Sequence, residues 1–198
     1  QTYVDLMACC EDLIRHIADG LGTGGRLSYQ GLSVDLSLPW ERLTVNEAFR
    51  RFASVPMEQA LARGRFDEAM GLEIEPCLGK RRPVFLVDYP AEKASLARLK
   101  PSDPTVAERF ELYIGGLEVC NGFSELNDAA EQRRRFAAER ERLLAAGRTP
   151  YPLPEKFLEA LARLPACAGN ALGVDRLAML FCDSAVIDDV VAFAPEDL

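Results

Sequence analysis

The sequence predicts an α+β fold in which an antiparallel β-sheet is flanked by helices. Residues 107–121, AERFELYIGGLEVCN, alternate apolar and polar positions on both sides of Gly115-Gly116, the pattern of a two-residue hairpin. The opening residues and those after 127 instead repeat apolar side chains at helical spacing. At 198 residues the chain has the size of one large domain and buries roughly 70% of its unfolded surface. No repeat and no linker rich in Pro, Gly or Ser divides it, so residues 1–198 read as a single domain.

Thr2 with Asp5 resembles a capping box, and Tyr3, Leu6, Met7, Cys10, Leu13, Ile14 and Ile17 line one face of a first helix. That helix ends in the glycine-rich loop at 20–26. A short helix starts near Thr44 and turns Ala48 and Phe49 inward. Residues 57–73 read as a weakly amphipathic helix, and residues 84–87, after Pro83, as a buried strand. Beyond the hairpin, Asn127 or Asp128 caps a helix running through Phe136, Leu143 and Leu144 to Gly147, with Glu131 placed for a capping box. Its thin apolar stripe predicts a mostly solvated surface. The basic run Arg133-Arg134-Arg135, interleaved with Glu131, Glu139 and Glu141, reads the same way. Pro154 opens a helix carrying Phe157, Leu158 and Leu161. The small-residue segment AGNALG leads into a last helix over 174–181.

Composition excludes several classes. Hydrophobic residues at 48% and charged residues at 27% describe an ordinary globular chain. Thirty-one acidic against 23 basic residues give a net charge of −8, which argues against unaided nucleic-acid binding. No run of 18 apolar residues is present to span a membrane. The six cysteines form no C-x-x-C pair, and His16 is the single histidine, so no zinc site of ordinary spacing assembles. They read as reduced thiols in the cytoplasm. GLGTGG follows a helix rather than a strand, LGKRRP lacks P-loop spacing, and Ser124 has only His16 to serve as a base.

One constellation survives. Closing the hairpin on Gly115-Gly116 sets Ile114 opposite Leu117, Tyr113 opposite Glu118, Leu112 opposite Val119 and Glu111 opposite Cys120. Phe110, Leu112, Ile114, Leu117 and Val119 then share a core face, with Glu111, Tyr113 and Glu118 on the other. Glu111 and Glu118 become diagonal neighbours, Cα atoms roughly 7–8 Å apart, within reach of one cation. Two carboxylates that close repel unless a cation or a proton intervenes, and magnesium carrying a phosphate suits the gap. A solvated polar sheet face is the competing reading. Glu125 beside Phe123 suits an ammonium group, although an ordinary strand-to-helix turn uses similar residues. Ideal alternation sends Asn121 to the face opposite Glu118, so Asn121 joins the site only if the strand bulges. Arg176, in the first turn after Gly173, is disfavoured by the helix dipole. A phosphate at the helix mouth would account for it, as would a salt bridge to Asp175, Glu196 or Asp197.

Residues 107–136 and GNALGVDRLAML (169–180), the latter like the class II motif 3, resemble the C-terminal part of a class II aminoacyl-tRNA synthetase catalytic domain of the lysine-specific branch. The likeness extends more loosely over VDYPAEKASLARL (87–99) and LSVDLSLPWERLTVNEAF. Ala94-Ser-Leu-Ala97, Ala171 and Leu161-Ala-Arg-Leu-Pro165 look like the truncated paralogue that attaches lysine or β-lysine to a lysine of translation elongation factor P, rather than like lysyl-tRNA synthetases. Charging of tRNA(Lys) is the alternative, and a non-catalytic synthetase-derived binding module a second one.

The resemblance implies ATP and Mg2+ as cofactors, with Glu111 and Glu118 holding magnesium and phosphates. It implies Asn121, Phe123, Glu125 and Ala171 as the amino-acid pocket, with Glu118 bordering it, and Arg176 with the backbone of Gly173 on ATP. The reaction implied runs through an aminoacyl-adenylate to an acceptor amine or tRNA hydroxyl, in a full-length homodimer. Motif 1 and motif 2 have no counterpart in these residues. The expectation is therefore a C-terminal portion of a catalytic domain, inactive in adenylation by itself.

Overall fold

A computed structural model describes residues 1–194. Helix α1 (Tyr3–Gly20) begins where Thr2 N–H donates to Asp5 at 2.7 Å. It buries Tyr3, Met7, Cys10, Ile14 and Ala18. Leu13, expected on that face, is exposed; Glu11 is buried in its stead and pairs with Arg42 at 3.3 Å. The chain turns through Gly22, Gly24 and Gly25, all at positive φ, into a small hairpin of β1 (Arg26–Tyr29) and β2 (Leu32–Asp35). Local sequence does not announce this hairpin, because its turn puts Gln30 in the left-handed region. A distant residue stabilises it: Gln30 N–H donates to Asp183 Oδ1 at 2.6 Å.

β3 (Glu41–Thr44) runs directly into α2 (Val45–Phe52), with Thr44 and Glu47 closing a reciprocal capping box. The helix expected over 57–73 is broken. It becomes α3 (Met57–Ala62), α4 (Phe66–Ala69), a π-turn at Met70–Ile74 and a 3-10 turn at Glu75–Cys77. Gly64 at positive φ interrupts it first, and Pro76 ends it, having no N–H to continue the ladder.

The main sheet runs β3-β4-β6-β7-β8, with the short β5 (Leu99–Lys100) also on β6. Here β4 is Val84–Pro90, β6 Asp103–Ile114, β7 Leu117–Ser124 and β8 Ala168–Leu172. All pairs are antiparallel except β3 with β4. Period-two alternation divides the sheet's apolar side chains between two cores. Phe85, Phe110, Leu112, Ile114 and Cys120 meet α1, Trp40 and α7 (Val174–Cys182) on one face. Val84, Leu86, Tyr89 and Tyr113 meet α2, α3 and α4 on the other.

α5 (Ala129–Ala145) is capped by Asp128, which accepts from the N–H groups of Ala130 and Glu131. The expected capping box does not close, because the Glu131 side chain is drawn to Arg134 and Arg135, both at 2.8 Å. Arg133 pairs with Glu155 of α6 (Glu155–Leu161) and Arg142 with Glu139 on a solvated face, whereas Arg135 turns inward and donates to the Ser95 and Ala97 carbonyls, both at 2.9 Å. All six cysteines are free thiols. Among the described residues no helix is long and apolar enough to cross a membrane.

Candidate active site

The β6–β7 hairpin closes on Gly115 and Gly116, both at positive φ, as a two-residue turn requires. Ile114 faces Leu117 and Tyr113 faces Glu118, as alternation predicts. The register then slips by one residue, so Leu112 faces Cys120, not Val119, and Glu111 faces Asn121, not Cys120. Val119 is the bulged residue, buried in the same core as Cys120. The bulge returns Asn121, Phe123 and Glu125 to the face of Glu111. Asn121 Nδ2 accordingly donates to Glu111 Oε1 at 3.3 Å.

Glu111 is buried and densely held. Arg109 Nη2 approaches Oε1 at 2.7 Å, and the Tyr113 hydroxyl donates to Oε2 at 2.6 Å. Arg109 also donates to the Lys93 carbonyl at 2.9 Å and lies 4.3 Å from the Tyr89 ring centroid. Burial first, and the neighbouring Glu111 charge second, push the Tyr113 hydroxyl far above its ordinary range. Among the described residues Asn121 Oδ1 and Tyr89 Oη are buried without a partner, and an orphaned buried acceptor points to a group still to be bound.

Glu118 meets Arg176, whose Nη1 lies 3.2 Å from its carboxylate and 2.9 Å from its carbonyl. The alternative pairing with Asp175 is not formed, while Glu196 and Asp197 lie outside the described residues. Gly173 seats the start of α7 on β7 by donating its N–H to the Val119 carbonyl at 2.9 Å. A third acid, Glu75, converges here. Its carboxyl is raised by burial and by the charges of Glu111 and Glu118, while Tyr113 and Arg176 pull it down.

Glu125 is half-buried and, among the described residues, has no cationic partner; burial raises its carboxyl. Phe123 lies opposite Gly169 and Asn121 opposite Ala171, so β8 contributes two small residues to this face. Ala97 bridges Glu125, which brings the Ala94–Ala97 turn against the same spot. Glu111, Asn121, Phe123 and Ala171 thus share one sheet face, and Arg176, on a helix packed against the other core, reaches this group through Glu118. Sequence reasoning missed Glu75, Arg109 and Tyr89. Arg109 was accessible, standing two residues before Glu111 on the same pleat. Glu75 carried no local signal, because a broken helix brings it in.

Three carboxylates facing two guanidiniums leave an excess of negative charge that a hard divalent cation offsets, and all-oxygen donors fit magnesium. Among the described residues no group of three or more ligands is spaced to hold a metal unaided. Magnesium needs none: one or two carboxylates suffice when phosphate oxygens complete its sphere.

Fold and sequence together place the chain in one family: it belongs to the class II tRNA synthetases. It matches the family model described as tRNA synthetases class II (D, K and N) over residues 1–197. Among its relatives, the lysine–tRNA ligase of Anaeromyxobacter dehalogenans (strain 2CP-C) is 36% identical, covering 97% of this chain and 44% of that protein. That of Moorella thermoacetica is 36% identical over 98% and 44%. A third, from Prochlorococcus marinus (strain MIT 9303), is 37% identical over 96% and 42%. The chain spans less than half the length of these relatives.

Proposed function

We propose that the full-length protein, a cytoplasmic homodimer, activates lysine or β-lysine with ATP as an aminoacyl-adenylate and transfers it to a lysine of elongation factor P. The half-buried Glu125 carboxylate, beside Phe123 on the Glu111 face and, among the described residues, without a cation, carries this reading. It matches a substrate whose far end is an ammonium. Asn121 Oδ1 is the free acceptor for a second substrate N–H. Arg176, at the mouth of α7, is a donor for the phosphates, and Glu111 and Glu118 would hold magnesium. Bound magnesium would neutralise phosphate charge as the lysine carboxylate displaces pyrophosphate. Arg109 and Tyr113 hold Glu111 at a fixed angle, so the chain's contribution is positioning and preset charge.

The acceptor reading rests on Ala171, which pairs with Asn121 across β7 and β8, and on Ala94-Ser-Leu-Ala97, whose Ala97 bridges Glu125. Relatives named lysine–tRNA ligase support tRNA(Lys) as the alternative acceptor. Incubating the full-length enzyme with labelled lysine, ATP and either acceptor tests both. Label on elongation factor P supports the first and label on tRNA the second. Absence of lysine-dependent pyrophosphate exchange would overturn the activation step itself.

A further inference from the structure

Two glycines of the site strands differ in what surrounds them. A Cβ at Gly122 would stand 2.6 Å from the fully buried Phe110 ring and 2.9 Å from Asn170 Oδ1. A Cβ at Gly169 would collide with Glu125 Oε1 and stand 3.6 Å from Glu125 Cδ, and it would meet nothing else within 4 Å. Gly169 is not at positive φ, so its backbone accepts an L side chain. The missing methyl is therefore needed neither for the turn of the chain nor for packing. Its one consequence is the space that the Glu125 carboxylate fills.

That space has a defined position. Gly169 pairs with Phe123 and Ala171 with Asn121, two rungs of the β7–β8 ladder. Glu125 follows Phe123 by two residues, and its N–H is tied to the Cys167 carbonyl at 3.0 Å. The Glu125 backbone is thus fixed, while among the described residues no cation holds its carboxylate. The bare Cα of Gly169 sets where the charge rests.

We infer that Gly169 is a specificity-determining positioning residue: by lacking a side chain it holds open the place where Glu125 meets the substrate's distal ammonium. Selection of a diamino acid over its uncharged analogue then depends on residue 169 through Glu125. This rests on the lysine reading above.

The test uses the full-length protein, equilibrium dialysis with labelled lysine and labelled norleucine, and the variants Gly169→Ala, Glu125→Ala and their double. Gly169→Ala is expected to weaken lysine binding about tenfold or more, the scale of one charge-assisted hydrogen bond. Norleucine binding, the KM for ATP and the Tm are expected to stay unchanged. In the Glu125→Ala background the same substitution is expected to have no further effect, since nothing remains to displace. An unchanged lysine-to-norleucine ratio in Gly169→Ala, or an equal loss with and without Glu125, would overturn the inference. If the unsubstituted protein shows no preference for lysine over norleucine, the substrate reading itself fails, which is a separate result.

Discussion

Glu111 has three side-chain partners, and each is a different kind of constraint. Arg109 supplies charge, the Tyr113 hydroxyl a short charge-assisted hydrogen bond, and Asn121 a donor whose own oxygen stays free. Tyr113→Phe removes the middle one from a buried position while keeping the ring in its core. It should cost about 1–3 kcal/mol, the price of an unpaired buried acceptor, read from urea denaturation. Glu125 yields a pH prediction. Burial raises its carboxyl, so the proton persists to higher pH than on a free glutamate. Holding an ammonium requires the ionised form. Lysine affinity should rise as pH climbs through that elevated value, and calorimetry on Glu125→Gln should show this limb gone. For stability the sign reverses: the folded state prefers the protonated group. That contribution is complete below the ordinary carboxylate range and is lost as pH rises through the elevated value.

The β6–β7 hairpin shows how one residue alters a site. Strict alternation would have placed Asn121 among the apolar side chains. The bulge at Val119 absorbs one position, so Glu111, Asn121, Phe123 and Glu125 share a pleat. Beneath that pleat Gly122 leaves room for the Phe110 ring. Gly122→Ala should destabilise the fold by about 1–3 kcal/mol through overpacking, in contrast to the thermally silent change expected at Gly169. Thermal melts of the two variants side by side check this. Helix α2 gives a separate test. Thr44→Ala opens its capping box and should cost about 1 kcal/mol, visible as a lowered urea midpoint.

Two cores share one sheet, so neither face can open without exposing the other. Trp40 is the single tryptophan, buried against Phe85 at 5.8 Å between ring centroids, with its indole N–H donated to the Leu36 carbonyl at 3.0 Å. Its fluorescence therefore reports the core under α1, while far-UV circular dichroism also senses α2, α3 and α4. The two denaturation curves should coincide; separate midpoints would mean the cores unfold independently.

Helices α1, α2, α5, α6 and α7 and the β6–β7 hairpin were readable from residue order alone. Their caps, periodicity and turn glycines act within a few positions of the chain. The same local signals set Glu111 and Glu118 as diagonal neighbours and placed Arg176 at a helix start. What waited for the folded molecule were features set by residues far apart: the β1–β2 turn held by Asp183, the broken helix that carries Glu75 in, and the slip at Val119. A bulge is chosen by the packing of two cores against one pleated strand, and no short window of sequence contains both cores. The opening above Gly169 is of the same kind, since only pairing of β8 with β7 brings a bare Cα beneath the Glu125 carboxylate.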